Sequence, residues 1–310
     1  MTPRDVDVVT FGETMVALRS AGPLTIRGTL TARVAGAESN VAIGLTRLGH
    51  AVRWVSRVGD DEYGRALLRE VRGEGVDVSG VAVDPTRPTG LMVAAERTAD
   101  VTSVAYYRAG SAASALGPDD VGRLGTARIL HLTGITPALS PSAAEAVRAA
   151  VGHGSYDLVS LDVNHRTRLI SAEDLAAILR PLLPAVGLVI GSPEELRILA
   201  DGGAAELAAQ GLEVVEKRGA DGAAAWVTKD GATAIEVPAV PVTVIDSIGA
   251  GDAFTAGYLS GILDGLDPHD RLLRATAVAA CCVSTRGDYE GLPTRDELVR
   301  LPLSPGTAIR

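Results

Sequence analysis

Short runs of consecutive apolar residues alternate along the chain with longer stretches whose apolar positions recur every three to four residues. Residues 6–11 read as a buried strand, apolar at Val6, Val8, Val9 and Phe11 and ended by Gly12, and 41–48 carry a helical period stopped by Gly49. Residues 52–58 read as a second strand, and 64–72 as a second helix stopped by Gly73. Continuous apolar strands separated by amphipathic helices predict a parallel sheet covered by helices on both faces. The rhythm resumes with a strand at 129–132 and a helix at 142–151, whose start is marked by Ser140-Pro141. It continues with strand and helix at 158–163 and 175–183, then at 188–190 and 194–199. A strand at 212–217 precedes a hairpin of 223–227 and 233–237, a strand-like run at 240–245, and helices at 253–263 and 271–283. The fold class is α/β, a doubly wound and mostly parallel sheet, read as a single domain over residues 1–310.

Two stretches break the pattern. Residues 14–34 and 90–108 hold strand-like residues with no helix between them. Met92, Val93, Val101, Val104, Tyr106 and Tyr107 suit a hairpin. Together they predict a small β-sheet projecting from the main sheet, either as a lid over a ligand crevice or as a plain edge hairpin. Its open strand edges favour pairing into a homo-oligomer, a dimer or larger.

Charge narrows the function. A net charge of −9 and a pI near 5.1 argue against a nucleic-acid partner. An anionic ligand must then meet isolated arginines or backbone dipoles. The two cysteines, Cys281 and Cys282, are adjacent, so they read as buried thiols of a reducing compartment rather than a disulfide. The first seven residues have no apolar signal core, and no uncharged apolar run is long enough to span a membrane. A cytoplasmic location, away from membranes, is expected.

The strongest local signal is Asp246-Ser247-Ile248-Gly249-Ala250-Gly251-Asp252 before a helical run. Glycines at a helix start let backbone approach a ligand, and the amides and helix dipole there favour an anion such as phosphate. Asp252 is either a helix cap or a base that takes a proton from a hydroxyl attacking phosphorus. The loop is not a Walker A motif, because the only lysines are Lys217 and Lys229. It lacks the third glycine of a dinucleotide fingerprint. A second segment, Gly36-Ala37-Glu38-Ser39-Asn40, precedes the first helix; Asn40 suits a cap or a partner for sugar hydroxyls.

Taken together, these two segments resemble the N- and C-terminal signatures of the ribokinase-like (PfkB) carbohydrate kinases. The resemblance spans essentially the whole chain, lid included. Within that family it is closest to the 2-keto-3-deoxygluconate kinases. Tyr106-Tyr107-Arg108-Ala109-Gly110-Ser111 is similar to their lid segment. His131-Leu132-Thr133-Gly134, Asp162-Val163-Asn164-His165-Arg166, Lys217-Arg218-Gly219-Ala220-Asp221-Gly222 and Arg286-Gly287-Asp288-Tyr289-Glu290-Gly291 match as well.

The resemblance implies ATP-dependent phosphorylation of an acidic keto-sugar to its 6-phosphate, with Asp252 as general base and Gly249, Ala250 and Gly251 as the anion loop. It implies sugar contacts from Gly36, Ala37, Glu38, Ser39, Asn40, Tyr106, Tyr107, Arg108, Arg166 and Asp288. Guanidinium suits a carboxylate, and alternation along a strand lets only one of the two tyrosines face the ligand. ATP contacts are implied for Asn164, Arg166, Lys217, Arg218, Gly219, Ala220, Asp221, Gly222, Gly249 and Gly251. Mg²⁺ is implied with ATP, with Glu195 acting indirectly through water; a monovalent cation is a further candidate. Three positions depart from the pattern. Ser192 stands where many members have Asn, Ser247 where Thr is usual, and Met92 where some ketodeoxygluconate kinases have Tyr. A fructose, ribose or nucleoside kinase of the same fold is the alternative, and a non-catalytic sugar-binding regulator is the rival of another class.

Overall fold

The computed structural model describes residues 4–98, 101–153, 156–227 and 234–300. In chain order the strands are β1 (Val6–Phe11), β2 (Met15–Ser20), β3 (Thr31–Ala35), β4 (Val52–Gly59), β5 (Val81–Asp84), β6 (Leu91–Thr98) and β7 (Val101–Tyr107). They continue as β8 (Ala127–Thr133), β9 (Leu158–Asp162), β10 (Leu188–Gly191), β11 (Glu213–Lys217), β12 (Ala223–Trp226) and β13 (Ile235–Val237). The helices are α1 (Ala37–Arg47), α2 (Glu62–Gly73), α3 (Ile135–Ala138), α4 (Pro141–Gly152) and α5 (Ala172–Leu179). After these come α6 (Pro193–Leu199), α7 (Gly203–Ala209), α8 (Ala250–Leu263), α9 (Pro268–Val283) and α10 (Arg295–Arg300).

Nine strands form the main sheet in the order β13-β12-β11-β10-β9-β8-β1-β4-β5. All neighbours from β11 to β5 are parallel; β12 and β13 add an antiparallel edge. Successive strand residues enter opposite cores. Val8, Leu188 and Ile190 pack with α1, α2, α8 and α9, whereas Val9 and Val189 pack with α4 to α7. The start of α4 follows its sequence signal: Ser140 accepts from the Ala143 amide ahead of Pro141. Asp61 caps α2, accepting from the Gly64 amide.

The interrupted stretches form a separate four-stranded sheet in the order β3-β2-β6-β7, with a small core of Met15, Ala17, Ala35, Met92 and Ala94. Three sequence expectations need correction. Residues 240–245 make no strand. Pro238 and Pro241 lack amides for a ladder, and the Ile245 amide bonds instead to the Val283 carbonyl at the end of α9. The helix expected over 175–183 ends at Leu179, and Arg180–Ala185 tightens into a 3₁₀ turn around Pro181 and Pro184. Asn40 does not cap α1, which starts earlier with Gly36 at its cap. Cys281 and Cys282 are buried free thiols. Lys229 and Thr233 lie outside the described residues.

Candidate active site

The two glycine-rich segments, far apart in sequence, meet because α1 and α8 pack closely. A Cβ on Gly44 would lie 2.7 Å from the Cβ of Ala256, so only small residues permit this crossing. One turn before Gly44, Asn40 Nδ2 donates to Asp252 Oδ2 at 2.8 Å. Gly36 is fixed by close approach: a Cβ there would sit 2.6 Å from the Glu13 carbonyl oxygen. Gly249 caps α8 with φ of 80°, and a Cβ there would lie 2.1 Å from the Asp288 carbonyl.

Asp252 is the third residue of α8, is 7% exposed, and makes no cap bond at that helix start. The simple cap reading is thereby excluded. Burial pushes its carboxyl above the usual range, opposed by the Asn40 bond and the Arg166 charge. Asn164 Nδ2 lies 3.4 Å from Asp252 Oδ1. Asn164 itself is the only non-glycine residue at positive φ among the described residues, at 42°. It follows β9, where left-handed backbone turns its side chain toward the carboxylate.

A cavity of about 410 Å³ opens between this centre and the four-stranded sheet. Gly36, Ala37, Glu38 and Asn40 line it from the α1 side, and Tyr106 and Arg108 from the small sheet. Asn164, Arg166, Glu195, Lys217 and Asp288 also face it, with Gly249, Gly251 and Asp252. Two expected sugar residues do not. Ser39 turns back to donate to the Gly36 carbonyl at 3.0 Å, and Tyr107 is 65% exposed on the opposite face of its strand from Tyr106. Arg166 forms no ion pair with another side chain among the described residues, so its charge is available to a ligand.

A second, more apolar cavity of about 530 Å³ adjoins the first. Gly219, Ala220 and Gly222 form one wall, and Val240, Val242, Ala279 and Val283 the other. Ala250 lines this cavity rather than the first, while Lys217, Ser247 and Gly251 line both. Arg218 and Asp221 do not line it. Arg218 pairs with Glu216 at 2.6 Å and Glu236 at 2.8 Å, over the Trp226 ring, and Asp221 is exposed on its turn.

Sequence reasoning missed Glu13. It is 2% exposed, ion-paired with Arg108, and accepts from Ser111 Oγ at 2.8 Å. Burial pushes its carboxyl up, against the Arg108 charge. Its position just past the end of β1 was the available signal, since parallel sheets bind ligands there. Glu38 accepts from Thr133 and Thr136, each at 2.6 Å, yet burial pushes it up to about 7. Burial also pushes Asp288 up to about 7, with Arg19 opposing. Glu38 Oε2 and Asp288 Oδ1 are buried without hydrogen-bond partners. Ser192 and Glu195 form a capping box at α6, and Glu195 Oε1 also accepts from the His165 amide at 2.8 Å. Asp267, His269 and Asp270 form an exposed trio at the start of α9, outside both cavities.

Comparison with known proteins agrees with this geometry. The family model described as pfkB family carbohydrate kinase matches residues 6–295. A 2-dehydro-3-deoxygluconokinase of Thermoproteus tenax is 38% identical, over 96% of this chain and 94% of that protein. A 2-dehydro-3-deoxygalactonokinase of Haloferax volcanii is 32% identical, over 95% of this chain and 96% of that protein. A PfkB protein of Polaromonas superposes with a TM-score of 0.81 at 36% identity, covering 95% of this chain and 99% of that one. An uncharacterized sugar kinase of Pyrococcus horikoshii in complex with ATP superposes with a TM-score of 0.81 at 27% identity, covering 96% of this chain and 98% of that one. A buried aspartate at a glycine-rich helix start, an asparagine from a distant helix against it and two adjoining cavities fit what these matches establish: the chain belongs to the pfkB family of carbohydrate kinases.

Proposed function

We propose that this chain transfers the γ-phosphoryl group of ATP to the terminal hydroxyl of 2-keto-3-deoxygluconate, giving the 6-phosphate. The observation that carries the reading is Asp252, buried at the start of α8 and facing the polar cavity beside the Gly251 wall that both cavities share. The sugar would occupy the polar cavity and the nucleotide base the apolar one. Asp252 takes the hydroxyl proton as that oxygen bonds to the γ-phosphorus. The bond from phosphorus to the β–γ bridging oxygen breaks, and ADP leaves with its electrons. The amides of Gly249, Ala250 and Gly251, at the start of α8, would meet the charge that develops on the transferred group.

The polar cavity suits a substrate with hydroxyls at one end and a carboxylate at the other. Arg108 and Arg166 would meet the carboxylate, and Gly36, Glu38, Asn40, Tyr106 and Asp288 the hydroxyls. The oxygen donors of Glu195 fit a hydrated Mg²⁺, which in kinases neutralises phosphate charge. Their amide bonds leave lone pairs for its water. The four-stranded sheet would close as a lid, and its edges β3 and β7 would pair in a homo-oligomer. Sedimentation at several protein concentrations tests that assembly.

One observation favours a second reading. Arg108 is already paired with Glu13, which lessens its demand for an acid and suits a neutral sugar. A panel of ketodeoxygluconate, its galactose-series epimer, fructose and ribose with ATP decides. Ketodeoxygluconate should give the highest kcat/KM; a higher value on fructose overturns the substrate, and no transfer to any sugar favours a non-catalytic regulator. Replacing K⁺ by tetramethylammonium in the same assay tests monovalent-cation dependence.

A further inference from the structure

Asp162 ends β9, is 1% exposed, and faces neither cavity. Its Oδ2 accepts from Lys217 Nζ at 2.6 Å and from Thr255 Oγ1 at 3.1 Å. Its Oδ1 is buried with no hydrogen-bond partner. Thr255 is fully buried one turn after Asp252 on α8, so the two share a helix face. Lys217 is the only lysine among the described residues, and it lines both cavities. A Cβ on Gly251 would lie 3.3 Å from its ammonium nitrogen. The cation therefore stands beside the anion loop at the wall between sugar and nucleotide.

We propose that Asp162 is a positioning residue for phosphoryl transfer: it holds the Lys217 ammonium at the junction of the two cavities, against the group in flight, and Thr255 fixes the carboxylate that does so. This rests on the reading that sugar and ATP take the two cavities.

The physical need for such an anchor is plain. A lysine ammonium rides on a four-carbon stem and keeps a fixed site only if a partner holds it. Three carboxylates act on Lys217: Asp162 first, then Glu195 and Asp252. Without Asp162 the ammonium would swing to Asp252 and compete for the carboxylate that must accept the proton. Burial disfavours the charge on Lys217, and those acids outweigh it, so it stays protonated. A further neighbour of Asp162 and Lys217, His131, is pushed down to about 4 by burial and adds no charge near neutrality. Asp162 also acts directly on the base, because its charge raises the Asp252 carboxyl while Lys217 lowers it.

The test is a double-mutant cycle on Asp162→Asn and Lys217→Met, assayed on whichever panel sugar the parent turns over. Asp162→Asn should lower kcat by about tenfold or more with KM for ATP within about threefold, the split expected when a group acts mainly in the transition state. The acid limb of its kcat profile should move to lower pH, which mere loosening of the fold would not produce. In the Lys217→Met background the same substitution should cost little further. Losses that multiply across the double variant overturn the proposal, as does an unchanged kcat or an unmoved acid limb in Asp162→Asn. Should Asp162→Asn fail to fold, Thr255→Val carries the cycle: it must slow the parent and leave the Lys217→Met enzyme unaffected, and the reverse refutes the anchor. Calorimetric binding of ADP separates this from failure of the cavity reading. Ala220→Trp fills the apolar cavity and should weaken ADP binding; an affinity indifferent to that substitution would mean that the nucleotide sits elsewhere.

Discussion

Asn in place of Asp252 keeps the shape of the side chain and removes the proton acceptor. Its carbonyl oxygen can still accept from Asn40 Nδ2, which now lies 2.8 Å from Oδ2. Loss of a general base costs about 10²- to 10⁴-fold in kcat, or about 3–5 kcal/mol of transition-state stabilisation. Stability should move the other way. Burial raises the Asp252 carboxyl above its ordinary 3.8, so the folded state prefers the protonated form. That contribution is present below 3.8 and is lost as pH rises through the raised folded value. Once pH exceeds that raised value the parent holds an ionised buried carboxylate that Asp252→Asn lacks, and the variant should melt at or above the parent. A helix cap would behave oppositely, losing about 1 kcal/mol of stability on removal. Turnover is read by ADP release and stability by thermal melting at pH 8. Unchanged turnover refutes the base, and a lowered melting temperature refutes the electrostatic account of its burial.

Three further outcomes follow from the same geometry. Arg108→Ala should raise KM for ketodeoxygluconate about tenfold or more while changing fructose kinetics far less, because a charged hydrogen bond is worth about 1.5–3 kcal/mol; equal effects on both sugars would remove the carboxylate role. Tyr107→Ala should leave kinetics nearly unchanged and Tyr106→Ala should raise the sugar KM, since Tyr107 is 65% exposed and only Tyr106 lines the cavity. Burial raises Glu38 from 4.5 to about 7, so its stabilising contribution is present below 4.5 and lost as pH rises through about 7. Glu38→Gln should accordingly gain up to about 3 kcal/mol over the parent at pH 8 relative to pH 4, read by urea unfolding at both; a pH-independent difference would refute it.

Much of the fold was legible because parallel strands buried on both faces leave uninterrupted apolar runs. The cap at Ser140, ahead of Pro141, is likewise local, decided by residues within one turn. The failures were non-local or set by proline. Residues 240–245 have strand-like side chains, yet Pro238 and Pro241 deny them a ladder and α9 supplies the bonds. Within the site, glycine-rich helix starts were readable, whereas side-chain direction was not. Ser39 and Tyr107 sit in the matching motifs but point away, the first to its own backbone and the second to solvent. Arg218 was lost to the cavity because two glutamates and a tryptophan ring claim its guanidinium.

The acids beneath the site were the least legible part, and they explain how a chain of net charge −9 can bind anions. Arg108 has Glu13, Lys217 has Asp162, and Arg19 has Asp246 at 2.6 Å with Asp288 beyond at 3.6 Å. In each case the carboxylate is more buried than the cation, and it comes from a distant part of the chain. No local spacing announces such a pair. A buried lysine without a partner would lose its charge or its place, and a buried arginine its place, so each anchor keeps a positive group fixed. The cost is attraction that the ligand must share with the anchor. Arg166, with no ion-pair partner among the described residues, is the cation most open to a phosphate or carboxylate, and the anchored groups contribute position more than net charge.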